Sequence, residues 1–152
     1  MKKISGVGVA FFSLAGLAGA SSVALGAFAA HGLSKFVPEG TAERGVSLFT
    51  QATEFQMSHA LSLILVTLVA ERVGGGFAQL VLRGAALLML AAAVLFPSAL
   101  YSAAFGGAQW WASYGGTSSM IAWLLFALGA LLTLRGAPVA QGVRGAQPHP
   151  AE

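Results

Sequence analysis

A chain of 152 residues with 57% hydrophobic and 9% charged side chains has a mean hydropathy of +0.78. Soluble domains carry about 25% charged residues, so this chain cannot cover its surface in water and a bilayer is its natural solvent. The absence of cysteine excludes disulfides, thiolate catalysis and Cys-ligated metals, and the net charge of +3 does not point to nucleic acid, because the eight Lys and Arg occur singly or in pairs and form no basic face.

Lys2 and Lys3 precede an uncharged run over residues 4–30. That run exceeds the roughly 20 residues a helix needs to cross the hydrocarbon core. A cleavable leader ending near Ala18, Gly19 and Ala20 is the rival reading. The run continues well past Ala20, where a leader would stop, so a first membrane span is expected. Small residues recur along it every four positions. Ala18, Ser22, Gly26 and Ala30 form one row, and Gly16, Ala20 and Ala24 a second. Such rows let helix backbones approach closely in lipid, where packing drives association.

Residues 31–40 break the span, with Gly32 as a helix stop and Pro38 and Gly40 as loop punctuation. Thr41 is the expected cap of a long helix over residues 42–72. Its first part is amphipathic, with Leu48, Ala52 and Phe55 on an apolar stripe and Gln51, Glu54 and Ser58 on another face. Its second part is apolar, so the membrane-crossing portion is placed at 53–72. Gly74, Gly75 and Gly76 make a tight turn.

A third span covers residues 79–105. Pro97 interrupts it, which predicts a kink and a freed Ala93 carbonyl that Ser98, Ser102 or another helix must satisfy. An uncharged connector over 106–116 carries Trp110, Trp111 and Tyr114, side chains that favour the headgroup level. Thr117 or Ser118 is the expected cap of a fourth span over 117–135. Residues 136–152, rich in Gly, Pro, Ala and Gln, read as a disordered tail. The fold class is an all-α four-transmembrane-helix bundle. An even number of spans puts Lys2, Lys3, Arg72, Arg83, Arg135 and Arg144 on one side, against Lys35 and Arg44 on the other. The positive-inside rule then places both termini in the cytoplasm.

Two segments hold most of the polar groups found near apolar sequence. His31 ends the first span, while Gln51, Glu54, Gln56 and His59 cluster where the second begins. Antiparallel neighbours would bring His31 and His59 to similar depth, and Gln56 and His59 share a face at i, i+3. Three uses compete: a proton or ligand relay through His59, His31 and Glu54; a two-histidine haem or metal site; and a hydrogen-bonded clamp between helices. Interhelical hydrogen bonds in membranes commonly serve packing, and two His with one Glu fall short of a usual zinc ligand set. The expectation is therefore a clamp, with no metal and no cofactor. His149 falls in the tail. No Gly-x-Ser-x-Gly elbow, phosphate loop or internal repeat is present.

The residues 26–33, Gly-Ala-Phe-Ala-Ala-His-Gly-Leu, resemble the signature of the YgdD-like small integral membrane proteins, a family built on domain of unknown function 423. The likeness extends to Gln51 through Leu61, to Leu95 through Tyr101, and to Gly115-Gly116 followed by Ile121-Ala122-Trp123. Departures from the family pattern include Ala29 for Gly, Phe55 for Tyr and Pro97 for Ser. The resemblance implies a four-helix protein of the bacterial inner membrane and implies no activity. The functional expectation is a non-enzymatic, accessory or structural protein, partnered by lipid and by copies of itself or a larger complex. A small proton-coupled transporter or channel is the alternative.

Overall fold

The computed structural model describes residues 3–73 and 75–135. The expected tail over 136–152, with Arg144 and His149, lies outside them, as do Lys2 and Gly74. Among the described residues the chain forms four long helices: α1 (Gly6–His31), α2 (Ala42–Arg72), α3 (Gly76–Ala104) and α4 (Ala112–Arg135). A 3-10 turn, Leu33–Lys35, separates the first two. All four are long and apolar enough to cross a membrane.

The helices pack in chain order, α1 on α2, α2 on α3 and α3 on α4. Within the most apolar stretch of each, 50% of residues are buried in α2 and 39% in α3, against 17% in both α1 and α4. The two middle helices therefore form the centre, and the outer two turn most of their surface to lipid. One core cluster, of Ala15, Leu63, Val66, Ala85, Ala86, Met89 and Ala122, draws on every helix. Its alanines bring backbones together and Met89 fills the remaining gap. A second cluster, of Ala29, Leu33, Phe49 and Ala104, closes one end. There the Phe49 ring lies 4.7 Å from Tyr101, 5.8 Å from Phe105 and 5.9 Å from Phe28.

The seam of α1 differs from the expected four-spaced rows. Its buried residues are Gly8, Ala15, Ser22 and Ala29, seven apart. Ser22 belongs to the expected row, and a Cβ on Gly26 would stand 3.9 Å from Thr53. Ala18 is half-buried, while Ala30, Gly16, Ala20 and Ala24 are exposed. The reason is angular. Each step of four rotates about 40° round the helix, so Ala18 to Ala30 drifts by roughly 120°. A step of seven drifts only about 20° and keeps facing one neighbour.

Three helix boundaries also differ from expectation or gain a reason. Ser5 caps α1 by accepting the Gly8 amide at 3.0 Å. Thr41 does not cap α2 with its side chain; its hydroxyl donates back to the Pro38 carbonyl. Helix α4 starts at Ala112, so Gly115 and Gly116 lie inside it. Gly115 is buried, and a Cβ there would collide with the Phe96 backbone. Gly115 is a packing surface for α3, and the connector is correspondingly short. Gly129 repeats the device lower down, where a Cβ would stand 2.6 Å from the Leu82 side chain. Helix α3 runs unbroken through Pro97. The Ser98 hydroxyl donates to the Leu95 carbonyl and accepts the Trp111 indole N–H at 3.1 Å, tying the connector to α3.

Candidate functional site

Among the described residues, every buried polar side chain except Ser22 of α1 sits on α2. Gln56 and His59 are three residues apart and 7% and 6% exposed. Gln56 joins three helices. Its amide Nε2 donates to the Ala18 carbonyl at 2.9 Å and to the Ser21 hydroxyl at 2.7 Å, both on α1. Its Oε1 accepts from the Tyr101 hydroxyl of α3 at 2.9 Å. Both donors and the carbonyl oxygen of the amide are thus used. One turn nearer the N-terminus of α2, the buried Ser22 hydroxyl donates to the Thr53 carbonyl at 2.8 Å, a second rung between α1 and α2.

His59 reaches the other way. Its Nδ1 lies 2.9 Å from the Phe55 carbonyl and its Nε2 2.7 Å from the Ser119 hydroxyl of α4. A carbonyl oxygen only accepts, so Nδ1 carries the proton, and in the neutral ring Nε2 accepts from Ser119. The Phe55 ring stacks on the imidazole at 3.9 Å and meets Phe96 of α3 at 4.4 Å. Helix α3 lies between α2 and α4, and His59 reaches past it to α4.

The remaining candidates are elsewhere. Gln51 and Glu54 are exposed, on the face of α2 away from Gln56 and His59. His31 is exposed at the last position of α1. Gln56 contacts Ala18, which is 13 residues before His31, or about 20 Å of helix. The expected meeting of His31 and His59 at one depth therefore does not occur. Helix α2 begins well outside the apolar stretch, and the Gln56–Ala18 and Ser22–Thr53 bonds set a register that leaves His31 beyond it. Among the described residues no three His, Cys, Asp or Glu stand close enough to share a metal ion.

A second polar knot lies at the opposite end of the bundle. Glu71 of α2 accepts from the Ser5 amide at 2.8 Å and the Ser5 hydroxyl at 2.7 Å. Arg83 of α3 donates to Glu71 and to the Ser5 hydroxyl, each at 3.2 Å. The Ser5 hydroxyl therefore donates once and accepts twice, its full capacity. Gly8 makes room, since a Cβ there would stand 2.9 Å from the Glu71 carboxyl carbon. This knot was missed in the sequence, as were Tyr101 and Ser119 as partners. An acid and a base flanking the glycine turn were the available signal.

Four apolar helices joined by interior hydrogen bonds define a small multi-pass membrane protein. The family model described as "Protein of unknown function (DUF423)" matches residues 25–117, a range that holds Gln56, His59 and Tyr101 but not Ser5 or Ser119. The chain is 34% identical over 123 residues to a UPF0382 membrane protein of Haemophilus influenzae, covering 79% of this chain and 92% of that one. It belongs to the DUF423 family. No solved structure matches it significantly.

Proposed function

We infer that this chain is a non-catalytic structural or accessory protein of the bacterial inner membrane, with both termini in the cytoplasm. One observation carries the reading. The two buried side chains of α2 with the greatest hydrogen-bonding capacity are occupied by other helices: Gln56 by α1 and α3, and His59 by α4. Groups saturated in this way hold helices in register and offer a substrate little to bind. A proton relay through His59, His31 and Glu54 finds less support, because His31 and Glu54 are exposed and His31 is far along α1 from the Gln56 contact. Copies of the chain or a larger membrane complex are the partners this reading favours, with lipid around α1 and α4.

The test is proton flux in liposomes together with thermal melting in detergent. Wild-type vesicles should match empty ones, and His59→Ala should lower the melting temperature by removing the Ser119 bond. Flux above background that His59→Ala abolishes without changing the melt would overturn the reading and install transport in its place.

A further inference from the structure

The α1–α2 seam leaves a groove that the helix pairing does not fill. It is open to the surface, encloses about 400 Å3, and is lined by Ser22, Thr53, Glu54, Met57, Ser58 and Leu61. Two glycines of α1 face the α2 residues of this seam at ordinary contact distance. Cβ atoms on Gly19 and Gly26 would stand 3.9 Å from Met57 and Thr53, respectively. Along α2 the lining steps from Glu54 through Met57 and Ser58 to Leu61, at intervals of three and four, so these side chains share one face. The groove is charged and polar at the Glu54 end and apolar at the Leu61 end, and both of those residues are exposed.

The depth of Glu54 gives this polarity a meaning. Glu54 precedes Glu71 by 17 residues, or roughly 26 Å of helix. The hydrocarbon core is about 30 Å thick. With Glu71 at one boundary, Glu54 lies near the other, facing the lipid. An ionisable side chain within a membrane span ordinarily takes a partner. Among the described residues the ion pair is Arg83 with Glu71, and Glu54 has no such partner within the chain.

We propose that the groove binds one phospholipid whose headgroup ends in a primary ammonium. The ammonium pairs with the Glu54 carboxylate, and one acyl chain lies over Met57 toward Leu61. Charge selects this occupant. An ammonium supplies the missing counter-charge and charge-assisted hydrogen bonds, whereas a net anionic headgroup would be repelled. This inference does not rest on the structural role assigned to Gln56 and His59, since neither residue lines the groove.

The experiment places the full-length protein in nanodiscs of equal dioleoyl phosphatidylethanolamine and dioleoyl phosphatidylglycerol, then weighs the released protein by native mass spectrometry. Wild type should retain one phosphatidylethanolamine per chain, in about fivefold preference, the order expected for one charge pairing at a membrane surface. Glu54→Gln should erase the preference, and Glu54→Lys should reverse it toward phosphatidylglycerol. Both change an exposed side chain and leave the interior hydrogen bonds in place. Glu43→Gln, exposed in the first turn of α2, should behave as wild type. Equal retention of the two lipids by wild type, no retained lipid, a preference that survives Glu54→Gln, or a lipid-free dimer with the groove filled by a second copy would each overturn the proposal.

Discussion

Replacing Gln56 with Leu tests the central hydrogen-bond junction. The substitution keeps similar side-chain bulk, so the cavity and overpacking terms stay small. It removes two bonds to α1 and one from Tyr101. Interhelical hydrogen bonds measured in membranes average about 0.6 kcal/mol and reach about 1.7. Three of them sum to roughly 2 kcal/mol. Tyr101→Phe removes one bond and keeps the ring that packs on Phe49 at 4.7 Å, so it should cost about 0.6 kcal/mol. Because both single variants lose the same Tyr101–Gln56 bond, the double variant should cost less than their sum by about that amount. Reversible unfolding in mixed micelles with increasing dodecyl sulfate reads all four stabilities. A Gln56→Leu change below ~0.5 kcal/mol, or strict additivity in the double variant, would refute the assignment of Gln56 as the three-helix junction.

Two further predictions address the ends and the outer helix. Gly115→Ala should destabilise by about 1–3 kcal/mol, the range for overpacking, because the new Cβ meets the Phe96 backbone. Gly129→Ala should cost less, since the Leu82 side chain can change rotamer, and Gly16→Ala, with open space around it, should be neutral in the same assay. Glu71→Ala removes the acceptor for the Ser5 amide, the Ser5 hydroxyl and Arg83. Hydrogen exchange in the first turn of α1 should accelerate while the centre of α2 stays protected. Glu71→Gln, which keeps an acceptor oxygen, should fall between, and unchanged exchange in Glu71→Ala would show that the knot does not hold α1.

Spans were legible because length and hydropathy alone decide whether a helix can cross a bilayer. The placement of Gln56 and His59 on one helix face, three residues apart, was legible for a similar reason, being a property of one helix. Their partners were not. Tyr101, Ser119 and the Ala18 carbonyl belong to other helices, and only the rotation and register of those helices bring them near. The same limit explains Glu54 and Gln51, which share a short segment with Gln56 yet point outward. Gly115 differs again. It reads as the end of an uncharged connector, and nothing local distinguishes such a glycine from one that admits a neighbouring backbone. Ser5 escaped notice because its role depends on a carboxylate 66 positions away.

The α1–α2 rungs reach into backbone as well as side chains. Gln56 donates to the carbonyl of Ala18, and Ser22 to the carbonyl of Thr53. Every residue type supplies a carbonyl, so at position 18 mutation can change the side chain and leave that acceptor in place. Selection on α1 then acts mainly on bulk along its seven-spaced seam, at Gly8, Ala15, Ser22 and Ala29. A library randomising the lipid-facing positions of α1 should return diverse apolar sequences. A library at the seam should return little beyond Gly, Ala and Ser.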